Sequence, residues 1–184
     1  EILFEDDALA IVVKPVMMAV EPTRAGDRGT LVRWFKDRGV QIGVVHRLDE
    51  AVRGVLVVAK KPLALKRLNE MLRERAITRR YEAVVEGVLC TDEQTIDAPL
   101  LHRGKLRDAR TRVRVVTRRD DSTLLEIELE SGRTHQIRRH LAGIGHPIVG
   151  DVKYGARPAA PDRVGIALCA VEIAFLHPRT NEPV

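Results

Sequence analysis

Four consecutive residues, His46, Arg47, Leu48 and Asp49, place an imidazole, a guanidinium and a carboxylate in one short segment. An apolar, β-branched run follows at residues 55–59 and predicts a buried strand. Ionisable side chains on a loop at the rim of a rigid strand suit acid–base or nucleophilic chemistry. The structural alternative is that Asp49 caps a turn and pairs with a neighbouring arginine.

A second polar segment, residues 131–141, reads S-G-R-T-H-Q-I-R-R-H-L. Its Ser-Gly pair predicts a turn, and residues 136–144 after it predict a helix. The free backbone N–H groups of a helix start favour anions. This arginine-rich start could therefore bind a phosphate, or it could hold a carboxylate such as Asp49. A glycine-punctuated loop, G-H-P-I-V-G-D-V-K-Y-G, follows at residues 145–155.

The positive charge of the chain, formally +5, is concentrated in two stretches. The first comprises Arg103, Lys105, Arg107, Arg110, Arg112, Arg114, Arg118 and Arg119; the second comprises Lys66, Arg67, Arg73, Arg75, Arg79 and Arg80. Either stretch could be a solvated face, but two in a short chain favour phosphate binding. Three Phe, two Tyr and one Trp are few for a protein that stacks base after base.

The remaining composition predicts a reduced, cytoplasmic protein of one domain, residues 1–184. Cys90 and Cys169 are far apart, and we expect both to be buried small hydrophobic residues. No apolar stretch is long enough to cross a bilayer, and the acidic opening does not resemble a signal peptide.

The elements that must position these segments are mostly strands. Alternating or continuous apolar patterns predict strands at residues 8–14, 55–59, 81–88, 111–117 and 125–129, and helices at 30–38, from Pro62 onward, and at 136–144. Residues 156–162 predict a loop. Strands that outnumber helices and are joined by short turns favour an α+β fold with a mixed, mostly antiparallel central sheet and flanking helices.

The polar segments, taken in order, resemble the RluA-like branch of the RNA pseudouridine synthases over nearly the whole chain. The H-R-L-D loop, the G-R-T-H-Q-I-R turn and the G-H-P-I-x-G-D loop are joined by Y-E-A-V-V-E-G at residues 81–87 and L-C-A at 168–170. This resemblance implies a pseudouridine synthase fold with a basic active-site cleft. It also implies isomerisation of a flipped uridine in structured RNA, without a cofactor or metal. Because the small-subunit branch usually reads G-R-L-D, His46 favours large-subunit rRNA or tRNA as the substrate.

The resemblance also assigns roles to individual residues. Asp49 is the catalytic carboxylate, acting as a nucleophile or as a base, and Arg138 pairs with it. Tyr81 stacks on the uracil. The substrate-binding set is His46, Arg47, Leu48, Arg133, His135 and Leu168. Within this set Arg47 fills the gap left by the flipped base, Leu168 forms an apolar wall of the pocket, and Arg133 either binds phosphate or is structural.

Three positions depart from the family pattern. Arg53 stands where a serine is usual, and Cys169 replaces a histidine. Met17 and Met18 stand where a small residue and glycine usually follow the Lys-Pro pair. We expect no S4-type RNA-binding domain in this chain, and a monomer that binds an RNA stem-loop away from any membrane.

Two other functions are compatible with parts of the sequence. A catalytically silent RNA-binding or ribosome-assembly module could share the fold. Retention of Asp49, Tyr81, Arg138 and Leu168 together argues against it. A metal-dependent hydrolase could use the histidines and acids of the same segments. Its candidate pair, His135 and His140, has a spacing that points the two rings in different directions on a helix.

Overall fold

In the computed structural model, which describes residues 1–22, 26–102, 104–158 and 164–184, most secondary structure is β-sheet. The strands are β1 (Ile2–Glu5), β2 (Leu9–Lys14), β3 (Gly43–Val44), β4 (Arg53–Ala59), β5 (Thr78–Glu86), β6 (Glu93–Asp97), β7 (Leu100–His102), β8 (Lys105–Arg107), β9 (Arg110–Arg118), β10 (Ser122–Leu129) and β11 (Leu168–Ala174). The helices are α1 (Leu31–Lys36), α2 (Pro62–Arg73) and α3 (Gln136–Gly143), with a 3₁₀ turn at Val152–Tyr154. The predicted α+β class is confirmed.

The chain divides into two compact units, and the first comprises Glu1–Thr78 and Ala170–Val184. Its strands lie in the order β1-β2-β4-β11, and β3 also pairs with β4. Strand β2 is antiparallel to both β1 and β4. Because β2 and β4 are buried on both faces, they read as continuous apolar runs in the sequence. Helix α2 packs Leu68 against the buried apolar side chains of these strands.

Gly54 allows close packing inside the first unit. Its φ is +127°, a backbone conformation that favours glycine, and a Cβ at this position would overlap the carbonyl oxygen of Ala170. The preceding residue, Arg53, is exposed at the start of β4. The departure from the family pattern at position 53 therefore lies at the surface. The close approach to the backbone of Ala170 depends on Gly54 instead.

The second unit comprises Arg79–Cys169. Its sheet has the antiparallel order β5-β10-β9-β6, and β7 pairs with β8 as a separate hairpin. One residue in two is buried along β10, where Leu125 and Ile127 lie in the core. This alternation is the pattern from which the strand was predicted.

Gln136 fixes the turn that precedes α3. Its side chain is buried, and its Oε1 accepts hydrogen bonds from the Arg133 N–H (3.0 Å) and the Ser131 hydroxyl (2.8 Å). Its Nε2 donates to the Arg110 carbonyl and the Thr111 hydroxyl, both at 3.0 Å. The amide thus joins the turn to β9 with a full set of partners, as a buried polar group requires.

The predicted strands and helices lie within three residues of the observed bounds, whereas strands β1, β3, β6, β7, β8 and β11 were not predicted. Cys90 is exposed, between β5 and β6, so the expectation that it is buried is wrong, and Cys169 is only partly buried. The predicted loop at residues 156–162 falls partly outside the described residues. Among the helices that the structure describes, none has the length and apolar character of a membrane span.

Candidate active site

The loop that carries Asp49 is anchored by apolar residues on either side. Val45, Leu48 and Val52 are buried, whereas Asp49 is half-buried. The Val52 N–H donates to the Asp49 carbonyl at 3.0 Å, which closes a tight turn. The side chain of Leu48 is buried, and its predicted role in substrate binding stays a prediction. Asp49 is therefore held in place by a rigid scaffold, as the sequence predicts.

Lys14, which sequence reasoning did not single out, lies beneath this turn. Its side chain is fully buried, and its Nζ donates to the carbonyls of Pro15 and Met18 at 2.8 Å, with Glu50 O farther away at 3.5 Å. Burial lowers the pKa of Lys14 to about 8, although the charges of Asp49 and Glu50 act in the opposite direction. The signal that could have found it is a lysine at the end of an apolar strand, directly before a proline.

Lys14 should give the protein a measurable pH dependence of stability. Its pKa is about 8 in the folded protein against an ordinary 10.5, so between these values the unfolded chain binds more protons. The contribution of Lys14 to the unfolding free energy is least favourable below pH 8 and rises from there toward pH 10.5. Urea unfolding of the wild type and Lys14→Met from pH 7 to 10 should show the wild type gaining relative to the variant. A constant difference would contradict the assignment.

The side chains of His46 and Arg47 have different surroundings. The His46 Nε2 accepts a hydrogen bond from the Val57 N–H at 3.3 Å, so this ring nitrogen holds the loop against β4. Arg47 extends into solvent and forms an exposed ion pair with Glu21 at 3.2 Å. Exposed pairs of this kind contribute little to stability, so Arg47 can exchange partners easily. The roles predicted for His46 and Arg47 both stay predictions.

In the second unit, Arg138 forms a buried, bidentate ion pair with Asp151. Its Nε and Nη2 donate to the two carboxylate oxygens at 2.6 and 2.8 Å, and both side chains are buried. The guanidinium carbon also lies 5.0 Å from the centre of the Tyr154 ring. Such a pair fixes the orientation of the guanidinium. Asp151 was not predicted as its partner, and the pairing of Arg138 with Asp49 stays a prediction.

The other candidates of the second unit divide into buried and exposed side chains. Tyr81 and Leu168 are buried, at 5% exposure each. The residue before α3, His135, has a left-handed backbone (φ +53°), and its Nδ1 is 2.8 Å from the Tyr154 hydroxyl. Arg133 is exposed and donates to the Asp108 carbonyl at 3.1 Å. Segments 131–141 and 145–155 therefore contact each other at α3, through His135 with Tyr154 and through Arg138 with Asp151.

The arginines of β9 have acidic partners, which corrects the sequence-based view of the stretch at residues 103–119. The pairs are Arg110–Asp97 (2.6 Å), Arg112–Glu130 (2.8 Å), Arg114–Glu126 (3.0 Å) and Arg118–Asp92 (2.7 Å). These acids lie on or next to the neighbouring strands, so counting charge along the stretch missed them. Arg103 lies outside the described residues. The β9 arginines are exposed, so their ion pairs contribute little to stability, and the phosphate-binding role predicted for this stretch stays a prediction.

The residues suggested for a metal-dependent hydrolase do not form a ligand set in the described parts of the chain. No three His, Cys, Asp or Glu side chains lie close enough there to share an ion. The His140 ring nitrogens lie 2.8 Å from the Thr111 hydroxyl and 2.9 Å from the Ala98 carbonyl oxygen. Burial lowers the pKa of His140.

Known proteins of similar sequence share one description. Residues 8–143 match the family model for RNA pseudouridylate synthase. An uncharacterized RNA pseudouridine synthase of Bacillus subtilis, YlyB, is 39% identical over 100% of this chain and 67% of its own length. Ribosomal large subunit pseudouridine synthase D of Nitrosomonas europaea is 38% identical over 99% of this chain and 59% of its own length. The chain thus spans about two thirds or less of the length of these relatives.

Solved structures agree with the sequence comparison on the fold. Human RNA pseudouridylate synthase domain containing 1 superposes with a TM-score of 0.81 at 23% identity, covering 100% of this chain and 80% of that one. Human RNA pseudouridylate synthase domain containing 4 gives a TM-score of 0.78 at 22% identity, covering 95% and 83%. At this identity the likeness concerns the fold alone.

Proposed function

The chain belongs to the RNA pseudouridylate synthase family, and from this membership we propose that it converts a uridine of structured RNA to pseudouridine. The observation that carries the proposal is the family match over residues 8–143, which contains Asp49, Tyr81 and Arg138. The anchored position of Asp49 supports it further. We propose large-subunit rRNA or tRNA as the substrate, and the relative from Nitrosomonas europaea is named for the large ribosomal subunit.

The reaction rearranges bonds without a change in composition. The N1–C1′ glycosidic bond breaks, the uracil turns, and a C5–C1′ bond forms while the C5 proton leaves and N1 gains a proton. Because nothing is oxidised and no group is added, the reaction needs no cofactor. Asp49 acts at the ribose, either by attacking C1′ or by removing a sugar proton. A half-buried carboxylate on a fixed loop serves either route, because both require the oxygen in a constant position.

Tyr81 and Arg138 complete the proposed catalytic set. The ring of Tyr81, on β5, offers an apolar face for a uracil that has left its stack. Arg138 is kept charged and oriented by Asp151, and in this state it can pair with a second carboxylate, for which we propose Asp49. Arg47 occupies the place of the flipped base, which its long exposed side chain allows. Flipping costs a few kcal/mol and least in a loop, so a stem-loop or junction is the expected target.

Tritium release tests the proposed activity directly. Transcripts of rRNA and tRNA labelled at C5 of uridine should lose tritium to water when incubated with the wild-type protein, because the new bond replaces the C5 hydrogen. Pseudouridine should appear at a discrete position in the same transcripts. Binding of every transcript without tritium release would contradict the proposal and favour a silent RNA-binding module. The assignment of residues 1–184 to one catalytic domain, the monomeric state and the cytoplasmic location stay predictions.

A further inference from the structure

The loop that follows β2 is joined at two points to the segment that carries Asp49. The Met17 N–H donates to the Glu50 carbonyl at 2.8 Å, so Met17 is bonded to the residue next to Asp49. Farther along the same loop, Glu21 forms the exposed ion pair with Arg47 at 3.2 Å. An RNA whose uridine reaches Asp49 must therefore also come close to Met17.

Met17 has a backbone conformation that suits glycine better than methionine. Its φ is +59°, and the residue is 63% exposed. This left-handed conformation costs free energy in a residue that has a Cβ. Single exposed apolar residues are common on protein surfaces, but few of them are held at such a cost. Because the exposed side chain gains little from packing, stability does not account for a methionine at this position.

Three other non-glycine residues within the described parts of the chain share this conformation, and each differs from Met17. Arg75 lies just past the end of α2, where helices commonly have a left-handed residue. His135 directly precedes the first turn of α3. Asn181 is of a residue type that tolerates the conformation. Of these four residues, Met17 alone is apolar, and its N–H reaches the turn of Asp49.

A nucleobase suits the exposed side chain of Met17 as a partner. A thioether is flexible and polarisable, and it forms favourable contacts with aromatic rings. When a uridine flips out of its stack, each flanking base loses a neighbour, so two base faces become open next to Asp49. Because the chain has three Phe, two Tyr and one Trp, few aromatic side chains can cover such faces.

We propose that Met17 binds the RNA substrate through the base of a nucleotide that flanks the target uridine. Its side chain covers the face of that base that flipping leaves open, beside Arg47. The contact holds the unpaired strand against the loop while Asp49 acts on the ribose. The inference rests on the proposed function, since it concerns the RNA on which this protein acts.

Two variants of Met17 separate a contact with RNA from a structural role. Met17→Gly removes the side chain and keeps the N–H that bonds to Glu50, and it should melt no lower than the wild type. Its kcat/KM for a stem-loop transcript, measured by tritium release, should fall about 5-fold. Met17→Leu keeps an apolar side chain of similar size, so its kcat/KM should stay within about 2-fold of the wild-type value.

Removal of single bases from the RNA identifies the contact. Two transcripts each lack one base, on the 5′ or on the 3′ side of the uridine at which pseudouridine forms. On one of them the wild type should lose about 5-fold more in kcat/KM than Met17→Gly does, because the variant has no contact left to lose. The control is Leu63→Ala, which changes another exposed apolar side chain, on α2, and should act on all three RNAs as the wild type does.

Five results would overturn the contact. They are unchanged kcat/KM in Met17→Gly, a lower melting temperature of this variant, an equal loss in Met17→Leu, an equal loss in Leu63→Ala, and equal losses of wild type and Met17→Gly on both base-deleted RNAs. Tritium release by the wild type separates these results from a failure of the proposed function. If only the contact is wrong, the wild type still releases tritium from the intact transcript. If the function is wrong, the wild type releases none from any transcript.

Discussion

Asp49→Asn should reduce tritium release from C5-labelled uridine by at least about 10⁴-fold, the largest effect expected of any single change in this chain. Asparagine has nearly the same size and still forms hydrogen bonds, but it is neither a nucleophile nor a base. Because Val45, Leu48 and Val52 anchor the loop, the change should leave the fold intact. RNA binding should hold or tighten slightly, since a negative charge near the phosphates is lost.

Glu50→Gln is the matched control for this prediction. It removes the same charge from the next residue, which is exposed and lies in the same turn. Both carboxylates also favour the charged form of Lys14, so any general effect of losing a charge near that ammonium should appear in both variants. We expect Glu50→Gln to release tritium at close to the wild-type rate. Turnover by Asp49→Asn at a comparable rate would refute the central assignment.

Asp151→Asn should have the largest effect on stability. The change leaves the buried guanidinium of Arg138 without its bidentate carboxylate, although one amide oxygen can still accept a hydrogen bond. Removing one partner of a buried pair costs about 3 kcal/mol at the lower end of the usual range. For a chain of this size that corresponds to a fall in Tm of about 6–12 °C. Calorimetry or circular dichroism would measure it.

Two comparisons give this prediction its specificity. Asp37→Asn removes the carboxylate of an exposed pair with Arg33 and should leave Tm nearly unchanged. The double variant Arg138→Met with Asp151→Leu replaces the buried pair with apolar groups and should recover much of the stability, but no activity. If Asp151→Asn melts like Asp37→Asn, the pair does not hold this part of the fold. Full activity in the double variant would exclude Arg138 from catalysis.

The parts of the fold that could be predicted are those in which burial repeats with a short period. β10 shows this best, because Leu125 and Ile127 alternate with glutamates and lie in the core. Helix α3 was bounded correctly because a Ser-Gly turn and Gly145 punctuate it. The loop of Asp49 could be predicted because an imidazole, a guanidinium and a carboxylate stand close together just before an apolar strand.

Contacts that depend on strand register or on distant segments could not be predicted. The carboxylates that neutralise Arg112 and Arg114 lie 18 and 12 residues farther along the chain, across a turn. Lys14 reaches the Glu50 carbonyl over 36 residues, and its position before a proline does not show which distant segment supplies this partner. The sequence marks Asp151 as part of a motif, but it does not identify Arg138 as its partner. Composition alone does not show which of several neighbouring arginines is buried.

Strand β6 has a further consequence for how this protein behaves at high concentration. It ends the strand order of the second unit and so presents backbone groups that another chain could pair with. Its exposed Glu93 and Asp97 lie opposite Arg114 and Arg110 of β9, so the edge strand carries a negative charge at each end. An incoming strand would have to bury these charges, which makes edge-to-edge aggregation unfavourable. Asp97, the carboxylate that compensates Arg110, thereby also helps to protect the sheet from growing into an assembly.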